Sequence, residues 1–188
     1  MKAKDLNEYM LKLQQWREAR HLSVEGQQKG LLGNLLEELS KVARAKDNES
    51  LVGKLCDVII VCMNAKNIPI QEPTSEGICG IIGVLDELQE IAMSLFDLEH
   101  TNMRLESTLE SIIHTCIRTI ENLGYDSRLS LDMTIDKIMS RTGHFDTELN
   151  KFIKDVSKEA QAKWIEPDYE LARYINMHNK PCNICCKD

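Results

Sequence analysis

Apolar residues recur every three or four positions along most of the chain, the spacing that gives a helix one apolar face. The stripes run over residues 6–16, 31–42, 51–62, 85–96, 105–120 and 131–139. The β-branched run at 58–62 lies inside one of these longer helical stripes, so we predict no strand. The pattern predicts an all-α fold, an antiparallel bundle of five or six helices.

Short polar residues and a glycine mark several predicted helix ends. Asp47 or Asn48 can cap the third helix, and Asp126 or Ser127 can cap the sixth, because their side-chain oxygens accept hydrogen bonds from the first free N–H groups. Gly143 is predicted to end the sixth helix in a left-handed conformation.

The stripes group into a helical domain over residues 1–145 and a C-terminal tail over 146–188. Two helical hairpins make up much of the domain, the first at about 25–67 and the second at about 78–124. The tail is more polar, with a short helix predicted at 157–164 and a Cys-rich end.

The two hairpins carry acids at matching intervals. Twenty positions separate Glu37 from Asp57, and the same interval separates Asp86 from Glu106. This spacing is consistent with internal duplication of a helical hairpin. It is equally consistent with an ordinary bundle, in which hairpins of this size recur without duplication.

Charge and composition narrow the function classes. Thirty acidic residues against 23 basic ones give a net charge of −7, which disfavours a duplex nucleic-acid binder. No apolar run reaches the roughly 20 residues that span a bilayer, and the charged N-terminal residues do not resemble a secretory signal. We therefore expect a cytoplasmic protein that binds neither duplex nucleic acid nor membrane.

Seven cysteines are present. Four of them lie in or beside apolar runs: Cys56, Cys62, Cys79 and Cys116. This placement predicts buried free thiols in a reducing compartment. Near the C-terminus, His178, Cys182, Cys185 and Cys186 resemble half of a zinc site; the alternative is an exposed tail with reactive thiols.

Carboxylates border the apolar stripes of the first hairpin. Glu37 and Glu38 interrupt a leucine run, and Asp57 stands between Cys56 and Val58. A carboxylate beside a buried stripe is costly unless a cation or donors satisfy it. Two polar rows share these helix faces: Asn34, Glu38 and Lys41 on the second helix, and Lys54, Asp57 and Asn64 on the third.

The second hairpin repeats this arrangement. Glu87 and Glu90 lie one turn apart, and Glu106, Glu110 and His114 form a row at intervals of four residues. Opposing acids on neighbouring helices provide the oxygen ligands that Mg²⁺ or Mn²⁺ prefers. The alternative is a solvated acidic face with no bound ion.

The segments GNLLEELSKVARA (33–45) and LVGKLCDVIIVCMNA (51–65) resemble the signature of the all-α nucleoside triphosphate pyrophosphohydrolases. This superfamily includes the MazG-like proteins and the dimeric dUTPases and dCTPases, with EExxE on one helix and ExxD on the next. Residues 123–146 and 151–155 resemble the region that follows the core in MazG-like proteins. The resemblance covers roughly residues 5–67 and 105–155.

The chain departs from this signature at two positions. Glu37 and Glu38 match the paired acids and Asp57 matches the final aspartate, but Lys41 and Lys54 replace two expected acids. Lysine cannot ligate a cation. Either the second hairpin supplies the missing ligands while the lysines grip phosphates, or the metal site is lost and the chain binds a nucleotide without chemistry. The acids of the second hairpin favour the first outcome.

The resemblance implies metal-dependent hydrolysis of a (deoxy)nucleoside triphosphate to the monophosphate and pyrophosphate, with Mg²⁺ or Mn²⁺ as cofactor. Catalytic candidates are Glu37, Glu38 and Glu87. Substrate-binding candidates are Asn34, Lys41, Lys54, Asn64, Lys137 and Arg141. Metal-ligand candidates are Glu38, Asp57, Glu87, Glu90, Glu106 and Glu110. Trp16 or Tyr125 could stack on the base, although an aromatic residue on a helix stripe is more often part of the core.

The resemblance also implies a homodimer or homotetramer, because sites in this superfamily are often completed across subunits. Two other functions remain open. One is a non-catalytic protein that binds or sequesters nucleotides on the same scaffold. The other is a helical interaction module in which the acids form only a solvated face.

Overall fold

The computed structural model describes residues 1–72, 101–148 and 151–173, and within these ranges the fold is all-α, as predicted. The helices are α1 (Ala3–Glu18), α2 (Val24–Ala43), α3 (Asn48–Ala65), α4 (Thr101–Asn122), α5 (Ser127–Met139) and α6 (Lys158–Gln161). Residues 169–173 are also helical. The helix predicted at 85–96, residues 78–100 of the second hairpin and the Cys-rich C-terminus lie outside the described residues, so the predicted duplication stays a prediction.

Helix α3 lies at the centre of the described bundle and packs against α1, α2, α4 and α5. Buried residues occur on nearly all sides of its C-terminal two thirds, including Val58, Ile59 and Ile60. A helix that is apolar all round is expected only where neighbours cover every face. The β-branched run is therefore helical because of its central position, as the longer stripe predicted.

Side chains cap the helices where the sequence predicts caps. The Asp47 carboxylate accepts from the backbone N–H of Ser50 at 2.7 Å and begins α3. Asp126 accepts from the N–H of Leu129 at 3.0 Å and begins α5. Helix α4 ends at Asn122, just before Gly124, whose φ of 85° is the left-handed conformation that glycine adopts without strain.

Two short strands follow α5, and the prediction of no strand is wrong here. Strand β1 (Gly143–Asp146) pairs in antiparallel register with β2 (Lys151–Lys154), so that Gly143 faces Lys154. The predicted left-handed stop at Gly143 is also wrong, because α5 ends four residues earlier and Gly143 begins β1. This β-hairpin spans the domain boundary that the sequence places after residue 145.

Gly143 is a glycine because of close backbone approach. A Cβ at this position would clash with the carbonyl oxygen of Ile153 and would stand 2.6 Å from the ring of Phe152. We therefore expect Gly143→Ala to lower the free energy of unfolding by about 1–3 kcal/mol, since the backbone of β2 must shift.

The matched control for that variant is Gly33→Ala. Gly33 is exposed within α2, and nothing lies within 4 Å of the position that a Cβ would take there. We expect this substitution to raise the free energy of unfolding by about 0.5–1 kcal/mol, because alanine is the better helix former. Urea unfolding of both variants would measure the contrast, and a stabilised Gly143→Ala would contradict the close approach.

The C-terminal segment packs onto the bundle through Tyr169. Its ring lies over Gly53 of α3, where a Cβ would meet the ring at 2.8 Å, and its hydroxyl lies 2.8 Å from the Thr134 hydroxyl of α5. Tyr169 and Ala172 are both buried. The segment that the sequence assigns to a tail thus completes the core over α3 and α5.

Three cysteines, Cys56, Cys62 and Cys116, are free and buried as predicted; the other four lie outside the described residues. Burial raises the pKa of the Cys56 thiol to about 12 and raises the pKa values of Cys62 and Cys116 as well. These thiols are therefore protonated at neutral pH and are poor nucleophiles. Among the described residues, no helix has both the length and the apolar character needed to cross a membrane.

Candidate functional site

The acids of the first hairpin lie beside lysines of the same hairpin. The Lys41 ammonium is 2.8 Å from a carboxylate oxygen of Glu37 and 2.8 Å from one of Glu38. The hydrogen bonds to Glu37 and Glu38 raise the pKa of Lys41, and the bond to Lys41 lowers the pKa of Glu37. The Glu37 side chain is largely exposed, whereas the Glu38 side chain is only 16% exposed.

Asp57 lies between two lysines from different helices. Lys137 of α5 places its ammonium 3.5 Å from one carboxylate oxygen, and Lys54 of α3 lies 3.8 Å from the other. The side chains of Asp57 and Lys137 are 19% and 14% exposed. The sequence identified all three residues separately, and the fold brings them together.

Lys154 adds a fifth basic residue that sequence reasoning did not select. Partial loss of hydration, and then the positive charges of Arg141, Lys137 and Lys41, lower the pKa of its ammonium. The backbone places Lys154 at the same end of α5, because Lys154 pairs with Gly143, two residues after Arg141, and the next residue, Asp155, donates its N–H to the Thr142 carbonyl at 2.9 Å. The basic cluster is defined as Lys41, Lys54, Lys137, Arg141 and Lys154, which come from α2, α3, α5, the residues after α5, and β2.

Arg141 contacts two further residues, Arg20 and Trp164. Its carbonyl oxygen accepts a hydrogen bond from the Arg20 guanidinium at 2.6 Å, and its own guanidinium lies 5.2 Å from the ring centre of Trp164. Arg20 in turn covers the ring of Trp16 at 4.6 Å. A cation over an aromatic face is a favourable contact, and here Arg20 covers one face of the Trp16 ring. Tyr125 is 1% exposed, so its ring belongs to the core. Core packing was the alternative to base stacking that the sequence analysis left open for this residue.

One oxygen of Glu38 stands out among the carboxylates of the first hairpin. Glu38 Oε2 is shielded from solvent and has no hydrogen-bond partner within the part of the chain that the structure describes. A buried carboxylate oxygen without a donor is costly. Such an atom is suited to accept a cation or the proton of a bound water.

The two candidate asparagines have different positions. Asn34 is exposed on α2, one turn before Glu38. Asn64 is buried, and its side-chain oxygen accepts a 2.9 Å hydrogen bond from Arg17 of α1. Because seven residues of helix correspond to roughly 10 Å, Asn64 lies about two turns away from Asp57 and joins α3 to α1.

Glu106 and Glu110 on α4 meet a buried lysine. The Lys66 ammonium lies 3.0 Å from Glu106 Oε2 and 3.1 Å from Glu110 Oε2, and its side chain is 1% exposed. Glu106 also accepts from the backbone N–H groups of Asn67 and Ile68. In the described structure these two acids hold the residues that follow α3 in place, and the Lys66 ammonium compensates their negative charge.

The remaining metal candidates, Glu87 and Glu90, lie outside the described residues. Within residues 1–72, 101–148 and 151–173, no three His, Cys, Asp or Glu side chains come together as a metal site. Among the candidate acids that the structure describes, Glu38 pairs with Lys41, and Asp57 lies beside Lys54 and Lys137. Glu106 and Glu110 share Lys66 instead.

Two concave surfaces are relevant to binding. A cleft of about 420 Å³ opens beside the β-hairpin and is lined by Thr142, Gly143, His144, Lys154, Asp155, Val156 and Ser157. Since Lys154 belongs both to this cleft and to the basic cluster, the two are adjacent. A larger groove of about 570 Å³ follows α1 and the residues after α3, and no member of the basic cluster lines it.

Comparison with known proteins gives no relative from which a function could be transferred. No family model, curated protein or solved structure matches the chain.

Proposed function

We propose that the chain hydrolyses nucleoside triphosphates to the monophosphate and pyrophosphate at a site on the α2–α3 hairpin. The observation that carries this proposal is the approach of Lys137 of α5 to Asp57 of the hairpin at 3.5 Å, together with the buried oxygen of Glu38 that has no hydrogen-bond partner among the described residues. A cation from an element distant in the sequence, beside half-buried carboxylates, is suited to a polyphosphate and the water that attacks it.

The residues fit a divalent ion in part. Glu38 has an unpartnered buried oxygen among the described residues, and Asp57 offers a second carboxylate, whereas Lys41 and Lys54 cannot ligate. Mg²⁺ commonly takes one or two carboxylates together with waters and substrate phosphates. Glu38 and Asp57 would hold it with the nucleotide, where it supplies charge neutralisation for the leaving pyrophosphate. Glu106 and Glu110 are left out of this proposal because Lys66 already compensates their charge.

The reaction assigns roles to the chain's own groups. Glu38 orients the attacking water and accepts its proton. The water oxygen forms a bond to the α-phosphorus, and the bond from that phosphorus to the bridging oxygen breaks. The electron pair leaves with pyrophosphate, whose charge Lys137, Arg141 and Lys154 stabilise. The cleft beside Lys154 is the proposed location of the nucleoside.

The direct test is to incubate the protein with each ribo- and deoxyribonucleoside triphosphate in Mg²⁺ or Mn²⁺ and to separate the products by ion exchange. We expect monophosphate and pyrophosphate in equal amounts, and loss of turnover when EDTA removes the metal. Thermal stabilisation by nucleotide without turnover would instead indicate a binding protein. Neither stabilisation nor turnover would indicate a helical interaction module. Size-exclusion chromatography with light scattering would test the predicted homodimer or homotetramer.

A further inference from the structure

The basic cluster carries more positive charge than its carboxylates neutralise. Against its five basic side chains stand Glu37, Glu38 and Asp57, and Asp155, which lines the cleft with Lys154, so that a formal excess of one positive charge remains. This excess stands in a chain whose net charge is −7. A local positive site on an acidic protein is a favourable location for a polyanion.

Two of these charges occupy positions where the signature of the first hairpin would have an acid. With lysine at 41 and 54, the hairpin loses two potential metal ligands and gains two ammonium groups. Each replacement of an acid by a lysine makes the local charge more positive by two units. Lys41 and Lys54 therefore place positive charge beside Glu38 and Asp57, in addition to any that a metal ion brings.

The carboxylates keep the lysines ordered and still leave them capacity to bind. Lys137 and Lys54 approach Asp57 at 3.5 and 3.8 Å, which is longer than a good charged hydrogen bond. A lysine ammonium has three N–H donors, so each can bind a phosphate oxygen while it remains near Asp57. Lys154 is exposed, pairs through its backbone with Gly143 and lines the cleft beside the β-hairpin, so an anion can reach its ammonium.

We propose that the basic cluster binds inorganic pyrophosphate directly through its lysine and arginine side chains, without a divalent metal ion. The inference takes its location from the proposed function but does not require hydrolysis. Condensed phosphates are the expected ligand class, since their adjacent phosphoryl groups can contact lysines on different elements. Orthophosphate presents only one such group and is expected to bind at least tenfold more weakly.

Isothermal titration calorimetry with sodium pyrophosphate in excess EDTA tests this inference on the full chain. We expect saturable binding to the wild type, weakened about tenfold or more by Lys154→Gln and by Lys137→Gln. Lys29→Gln is the matched control, because Lys29 is exposed on α2 and pairs only with Glu25 among the described contacts. This control is expected to bind as the wild type does.

The outcomes separate the inference from the proposed function. Pyrophosphate that binds only when Mg²⁺ is present would overturn direct binding and leave hydrolysis possible. Equal affinity of the wild type and both cluster variants would also overturn it. Metal-free binding that depends on Lys154, in a protein that turns over no nucleotide, would support the inference and contradict the proposed function. Because Lys154 is exposed, the Lys154→Gln protein is expected to fold as the wild type does, and circular dichroism would verify this.

Discussion

Replacing Glu38 by glutamine is expected to slow nucleotide hydrolysis by about 10²–10⁴-fold, the usual effect of removing a general base. Glutamine keeps the shape of the side chain but can neither accept a proton from water nor carry the charge that a cation needs. Because Glu38 Oε2 has no hydrogen-bond partner among the described residues, this substitution breaks no hydrogen bond of that oxygen within them. Folding stability should therefore change much less than turnover.

Asp57→Asn is the companion to that experiment, and steady-state kinetics with the best nucleotide would measure both. It removes the charge that holds Lys137 and Lys54 together, so we expect a fall in turnover and a rise in KM. Glu25→Gln, on the exposed first turn of the same helix as Glu38, is the control and should keep full activity. Loss of turnover in Glu87→Gln and Glu90→Gln, with Glu38→Gln active, would move the site to the second hairpin.

Lys66→Met is expected to have the largest effect on stability, about 3–5 kcal/mol, as when one partner of a buried ion pair is removed. Lys66 is 2% exposed and is the cation shared by Glu106 and Glu110. Without it, two carboxylates face one another beside the core with no compensating charge. Urea unfolding monitored by circular dichroism would measure the loss.

Two controls distinguish the buried charge from general damage to the helix. Glu106→Gln keeps an oxygen for the N–H groups of Asn67 and Ile68 and leaves Lys66 paired with Glu110, so it should cost less than Lys66→Met. Lys29→Met, in an exposed pair on α2, should leave the unfolding midpoint unchanged. A Lys66→Met protein as stable as the wild type would show that the ion triad is dispensable.

Periodicity was sufficient for the five long helices that the structure describes, because their apolar stripes are long enough to reveal the period. Short polar residues beside the stripes also predicted the caps at Asp47 and Asp126, whose chemistry is local. Periodicity failed for the strands β1 and β2, each of four residues. So short a segment shows no recognisable alternation, and its pairing depends on the close approach at Gly143.

The acids of the candidate site could be selected from sequence because a carboxylate beside an apolar stripe is unusual wherever it lies. Two of the basic residues near them, Lys154 and Lys66, could not be selected in this way. Lys154 reaches the site only because β2 folds back on β1. Lys66 meets Glu106 only because α3 packs against α4. Both facts belong to tertiary structure, which a one-dimensional pattern does not contain.

The location of Lys154 on β2 also has a consequence for biosynthesis. The ribosome makes the carboxylates of α2 and α3 about one hundred residues before it makes this lysine, and folding begins with the parts that emerge first. The nascent chain therefore presents Glu38 and Asp57 before it presents the lysine that we propose binds phosphate. If this lysine is needed for binding, stabilisation by a phosphate ligand can begin only after the β-hairpin has left the exit tunnel, and a fragment that stops at residue 145 would not be stabilised in this way.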